Sequence, residues 1–164
     1  MEKGQNELSM RSLMHLEIRR VSEADLMIIF EWANEKAVRS QSFNIRPISL
    51  EEHSQWFKKK LLEDNCYFYI LIKKDIPLGQ VRFDISDRVS NINYSIDKNF
   101  RGMGYGFPLL NIAIQEFKKE CLSYDSICAS VKPDNTPSNK VFINLGFSLD
   151  EKYDDSLVYI LDNK

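Results

Sequence analysis

The stretch Asn91–Leu110, NINYSIDKNFRGMGYGFPLL, constrains this chain more than any other. It reads as a short strand, a tight loop with Gly102, Gly104 and Gly106 at every second position, and an amphipathic helix. In that helix Leu109, Leu110, Ile112, Ala113 and Phe117 recur at helical spacing. A strand running into a glycine-punctuated helix start gathers unpaired backbone N–H groups around one point, and the positive end of the helix dipole adds to them. Glycine accepts φ > 0 and lets an anion come close to the backbone. The pattern therefore points to a phosphate or diphosphate site built mostly from main chain.

Two familiar phosphate loops do not fit. A Walker loop needs Lys-Ser or Lys-Thr after its glycines, and neither follows here. A dinucleotide fingerprint would place its third glycine on Phe107. What remains is Arg101-Gly-x-Gly-x-Gly, a pattern that an ordinary turn can also show.

With 164 residues the chain suits one domain with a full core. A net charge of -2 and scattered basic residues give no reason to expect a nucleic-acid partner. Lys58-Lys59-Lys60 reads as a solvated helix face. Cys66, Cys121 and Cys128 are odd in number and lack close pair spacing, so neither a disulfide framework nor a zinc site is expected, and a reduced cytoplasm is the natural compartment. No apolar run approaches a membrane span. Residues 1–14 lack an apolar h-region and read as a loose leader before a domain over 15–164.

Along the chain, Leu16–Val21 alternates as a first strand, and Ser22 starts a helix with Leu26, Ile29, Phe30 and Ala33 on its buried stripe. Val38–Phe43 reads as a loop, and Ser49 opens a capping box for a helix over Leu50–Leu62. Strands follow at Tyr67–Lys73, at Gly79–Asp84 and at Asn91–Ile96, with a turn expected at Asp75-Ile76-Pro77 and another over Ser86–Ser90. Within the middle strand Val81 and Phe83 face one side, and Gln80, Arg82 and Asp84 the other. After the loop helix come a strand at Ser126–Val131, a helix containing Pro137 and ending at Gly146, and a hairpin from Phe147–Lys152 and Leu157–Leu161. The order β-α-α-β-β-β-α-β-α-β-β predicts an α/β chain (α+β, mixed sheet) with helices on the sheet faces.

The glycine loop fits the Arg/Gln-x-x-Gly-x-Gly/Ala loop of the GNAT superfamily of acyl-CoA-dependent N-acetyltransferases. Downstream, Asn135, Ser138, Gly146 and Phe147 resemble the second GNAT signature, Asn-x-x-Ser followed by a helix and Gly-Phe. The segments FEWANE (30–35), Val38-Arg39, Ser42-Phe43, Glu52-His53, Trp56-Phe57 and GQVRFD (79–84) further resemble a GNAT branch that acetylates the 4-amino group of nucleotide-linked 4-amino-4,6-dideoxy sugars, in pathways such as that to pseudaminic acid.

The resemblance implies an acyltransferase that binds acetyl-CoA in a V-shaped opening between the fourth and fifth strands and needs no metal. The backbone of Arg101, Gly102, Met103, Gly104, Tyr105 and Gly106 would hold the diphosphate. The strand Asn93, Tyr94, Ser95, Ile96 would pair with the pantetheine amides, with a β-bulge freeing one N–H for the thioester carbonyl. Asn135 and Ser138 would line the thiol arm, although both also suit a turn and a helix cap. Many GNAT enzymes carry a tyrosine where this chain has Phe142, whose ring has no proton to give a departing thiolate.

His53, set inward on a helix face with Leu50 and Phe57, is the first candidate for the base, and Glu52 the second. Arg39 and Arg82 are candidates for the sugar-nucleotide diphosphate, with Ser42 beside them. Three functions stay open from sequence: the nucleotide-sugar acetyltransferase, a GNAT acting on a protein N-terminus, ribosomal protein or polyamine, and a non-catalytic acyl-CoA-binding module. Whether the chain works alone or as a homodimer also stays open.

Overall fold

The computed structural model describes residues 15–163. The expected leader over residues 1–14 lies outside the described residues. Sequence alternation decides the layout. In the strand Cys66–Lys73, called β2, Cys66, Phe68 and Ile70 are buried on one side, and Tyr69 and Leu71 are buried on the other. A strand buried on both sides belongs inside a sheet with helices on both faces. Before it come β1 (Leu16–Arg20), a 3-10 turn (Glu23–Asp25), α1 (Leu26–Asn34), α2 (Lys36–Gln41) and α3 (Leu50–Leu62). After it come β3 (Ile76–Ser86), β4 (Val89–Ile96), α4 (Gly106–Glu120), β5 (Ser126–Val131), α5 (Thr136–Asn144), β6 (Ser148–Lys152) and β7 (Leu157–Asp162). The strands form one sheet in the order β1-β2-β3-β4-β5-β7-β6. Only β4 and β5 pair in parallel, joined by the α4 crossover, so the sheet is mixed as expected.

Two cores flank it. On one face Leu109, Leu110, Ala113 and Phe117 of α4 pack on Val81, Phe83 and Ile92, with the Phe83 and Phe117 rings stacked at 4.4 Å. On the other face α1 and α3 lay Ile29, Trp32 and Phe57 against Cys66, Phe68 and Ile70.

Several local expectations shift. The segment read as a loop over Val38–Phe43 is helical through Gln41, because the Glu35 carboxylate accepts from the Ala37 N–H and caps a short helix. The turn expected at Asp75-Ile76-Pro77 is the tighter Lys74-Asp75, both at positive φ, so Ile76 and Pro77 already belong to β3. Pro77 sits where the β2–β3 register slips between Leu71 and Ile72, a place where its missing N–H is tolerated. Asp87 and Arg88 likewise form a two-residue hairpin turn inside the longer turn expected over Ser86–Ser90. At the end of α5, Gly146 at φ 88 lets the Phe147 N–H reach the Phe142 carbonyl and closes the helix.

Candidate active site

The site is organised by an opening in the sheet. β4 stays in register with β3 from Val89 to Ile96, yet it pairs with β5 only over Val89–Asn91 against Ser126–Cys128. Both strands continue past that pairing. The Asp97 N–H donates to the Leu78 carbonyl at 2.8 Å, so alternation turns the backbone groups of Ile92, Tyr94 and Ile96 toward the opening. The groups of Ile92 and Tyr94 and the Ile96 N–H, unmatched by β5, supply the main chain that a bulge in β4 was expected to supply, while Arg101 takes the Ile96 carbonyl; β4 itself carries no register shift against β3.

At the wide end lies the glycine loop. Gly102 and Gly104 have φ of 73° and 81°, where side chains with a Cβ are strained, and no atom lies within 4 Å of a Cβ built at either. Their surroundings are open to an incoming group. Gly106 lies nearer its surroundings: a Cβ there would meet Val141 Cγ2 of α5 at 3.5 Å, an ordinary van der Waals contact. Arg101 folds back: its Nε donates to the Ile96 carbonyl at 2.9 Å, and its guanidinium pairs with Glu35 at the start of α2. That guanidinium is the leading reason the Glu35 carboxyl sits below its usual range.

α5 borders the opening on the other side. Asn135 caps it by accepting from the Ser138 N–H at 3.3 Å. The Ser138 hydroxyl meets the Tyr94 hydroxyl at 2.9 Å. Phe142 is 2% exposed, with the Tyr94 ring edge-on at 5.9 Å. Lys132, just past β5, donates to the Ser40 carbonyl at 2.8 Å, so α2 is tied to both banks of the opening, through Glu35 and through Ser40.

Across the β3–β4 ladder Gln80 faces Ser95, Arg82 faces Asn93 and Asp84 faces Asn91. These residues alternate with Val81 and Phe83, which face α4, and so make a polar floor on the opposite side of the sheet. The Gln80 amide donates to Ser95 Oγ at 3.2 Å, while its Oε1 is buried without a partner. Arg82 stacks over Trp56 at 4.9 Å and donates to Asp84 at 2.6 Å. Lys60 reaches the same carboxylate at 2.9 Å. Burial alone would raise the Asp84 carboxyl; Arg82 and Lys60 outweigh it and hold it below the usual range.

The other predicted residues separate. His53 is 1% exposed, wrapped by the rings of Phe30, Trp56 and Phe57, with Nε2 unpartnered. Burial pushes its imidazole pKa down. Glu52, one residue away, is exposed and paired to Arg46 at 2.7 Å. Arg39 is turned onto its own loop, donating to Ser42 Oγ at 2.9 Å and to the Asn44 and Arg46 carbonyls at 3.1 and 3.4 Å. Arg39 and Ser42 thus come together and shape the α2–α3 connection, while Arg82 lies on the sheet. Sequence reading passed over Glu35, Lys132, the amide of Gln80 and the side chain of Tyr94. Only Gln80 carried a signal, its polar place in an alternating strand.

Among the described residues no cluster of His, Cys, Asp or Glu could hold a metal ion, and no helix is long and apolar enough to cross a membrane.

Comparison with known proteins then bears on this geometry. A family model described as an acetyltransferase (GNAT) domain matches residues 15–148. No curated protein sequence matches. Solved structures share the fold. An N-acetyltransferase from Staphylococcus aureus Mu50 is 21% identical, with a TM-score of 0.77 over 90% of this chain and 98% of that one. The spermidine N-acetyltransferase of Vibrio cholerae, in complex with CoA and spermine, is 18% identical, with a TM-score of 0.77 over 89% and 93%. The ribosomal-protein-alanine N-acetyltransferase of Brucella melitensis is 19% identical, with a TM-score of 0.76 over 90% and 99%.

Proposed function

Given that this chain belongs to the GNAT acetyltransferase family, we propose that it transfers an acetyl group from acetyl-CoA to the 4-amine of a nucleotide-linked 4-amino-4,6-dideoxy sugar. The observation that carries the acceptor class is the polar floor of Gln80, Arg82, Asp84, Asn91, Asn93 and Ser95. Amides, hydroxyls and an arginine suit an acceptor rich in hydroxyls and carrying phosphate. The floor suits a polycation poorly, because its carboxylate, Asp84, is already paired with Arg82 and Lys60. The sequence segments that resemble the amino-sugar branch include this same floor strand.

The residues fit acetyl-CoA: open space beside Gly102 and Gly104 suits a diphosphate, and the unpaired edge of β4 suits amides laid along it. Gly102–Gly106 would hold the phosphates through main-chain N–H groups, and the edge of Ile92–Ile96 would fix the arm. Bound acetyl-CoA supplies the acetyl group as a thioester, already activated for attack by an amine. The chain supplies position, holding an acceptor on the floor against the opening in the sheet, and N–H groups directed at the developing oxyanion.

His53 is the base in this reading. Its buried, unpartnered Nε2 is held neutral and can take the proton from the amine through a water. Glu52 falls behind it because Arg46 already holds its carboxylate. Arg82, bound to Asp84 through Nε, would offer its two terminal nitrogens to the diphosphate, and Arg39 and Ser42 act by holding the loop that flanks the acceptor.

The test is thiol release from acetyl-CoA with a panel of nucleotide-linked 4-amino-4,6-dideoxy sugars, spermidine and an N-terminal peptide of a ribosomal protein. The sugar should give the highest kcat/KM. Preference for spermidine or the peptide would overturn the acceptor assignment.

A further inference from the structure

An acetyltransferase that uses a thioester must accommodate a thiolate as the carbon–sulfur bond breaks. Phe142, buried between the Tyr94, Phe147 and Tyr159 rings, cannot stabilise that charge. The facing strand can. Tyr94 leaves β4 in the stretch where pairing to β5 has ended, and its hydroxyl reaches Ser138 on α5 at 2.9 Å. The side chain thereby crosses the opening from one bank to the other, on the α4 face of the sheet. Its hydroxyl also lies 3.8 Å from the place a Cβ would take at Gly106, at the inner end of the glycine loop. An arm that ran from phosphates at that loop into the opening would pass beside this hydroxyl pair, next to the Phe142 ring at 5.9 Å from that of Tyr94.

We propose that Tyr94, paired with Ser138, is a catalytic residue that donates a hydrogen bond to the departing thiolate sulfur. The amine nitrogen bonds to the carbonyl carbon, the carbon–sulfur bond breaks, and sulfur keeps the electron pair. The Tyr94 O–H then points its hydrogen at that sulfur. The amine's surplus proton leaves through a water to His53, and the thiolate takes a proton from water on release. Burial raises the Tyr94 hydroxyl pKa and outweighs the opposing Ser138 hydrogen bond, so the phenol stays protonated and serves as a donor without being consumed. Ser138 can accept from the phenol or donate to it, and so holds the hydroxyl in place across the opening. The inference rests on acetyl transfer from acetyl-CoA and not on which amine accepts it.

The experiment therefore needs no acceptor. The ionisation of CoA thiol bound to the protein is followed by thiolate absorbance against pH, in the parent and in Tyr94→Phe. Hydrogen bonds to charged groups imply that losing this donor moves the midpoint up by about one pH unit. A ring-fluorinated tyrosine at position 94, a stronger donor with the same shape, should move it down. Desulfo-CoA, which lacks the sulfur, should bind Tyr94→Phe and the parent with equal Kd. An unchanged thiol midpoint in either variant would overturn the proposal. So would a fall in desulfo-CoA affinity equal to that for CoA, since Tyr94 would then touch the pantetheine arm and not the sulfur.

Discussion

Glu35 and Arg101 form an ion pair that joins the first residue ahead of α2 to the first residue of the glycine loop. The pair ties α2 to the glycine loop, and it works together with Lys132 and Ser40 at the other end of α2. A six-residue helix is too short to hold itself in water, so its position depends on these ties. Replacing Glu35 by Gln keeps an acceptor for the Ala37 N–H but removes the charge. Amides of residues 36–41 should then exchange with solvent faster than in the parent, while α4 stays protected. Equal exchange in both proteins would show that packing, not the ion pair, seats α2.

Gly104→Val should weaken CoA binding by at least ~1 kcal/mol, about five-fold, because a β-branched residue resists positive φ. The open space around that position means a clash is not the cause; the strain is in the backbone. Calorimetry on the folded variant checks it. Unchanged affinity would move the diphosphate away from this loop.

The framework of this fold was legible because it rests on local rules. Ser49 caps α3, Gly146 ends α5, and the alternation of Gln80 to Asp84 sorts the two faces of β3, all visible from composition and spacing. The site's long-range ties were not. Glu35–Arg101, Lys132–Ser40 and Tyr94–Ser138 join residues 66, 92 and 44 positions apart, and no periodicity encodes such partners. Arg39 makes ties that spacing does not show either. Its terminal nitrogens meet three acceptors on its own loop, the Ser42 hydroxyl and the Asn44 and Arg46 carbonyls.

Arg82→Lys keeps a cation for Asp84 but loses the planar fork that stacks over Trp56. If the fork holds the acceptor's diphosphate, the nucleotide-sugar KM should rise by roughly ten-fold or more, the scale of one charge-assisted hydrogen bond, with CoA Kd unchanged. Steady-state kinetics varying each substrate in turn separates the two effects. A KM within two-fold of the parent would leave Arg82 as a structural partner of Asp84.

His53 ties the core under α1 and α3 to pH. Burial among three aromatic rings strips the imidazolium of water and lowers its pKa from the usual value near 6.5. The unfolded chain binds that proton normally, so below about pH 6.5 it takes up a proton that the folded protein refuses. The stability contributed by neutral His53 is therefore complete above that pH. It is lost as pH falls, by up to ~1.4 kcal/mol per pH unit until the folded pKa is reached. Urea unfolding of the parent across this range should show the loss, and His53→Leu, which has nothing to titrate, should show less of it. Catalysis adds a second readout. If Nε2 takes the amine's proton, kcat of the parent should carry an acid limb at the lowered folded-state pKa, on the acid side of the usual histidine value, because protonation removes the base. His53→Leu should lower kcat on the plateau and abolish that limb while CoA Kd holds. A variant with parent kcat and an unchanged limb would leave His53 a core residue and assign the proton to solvent.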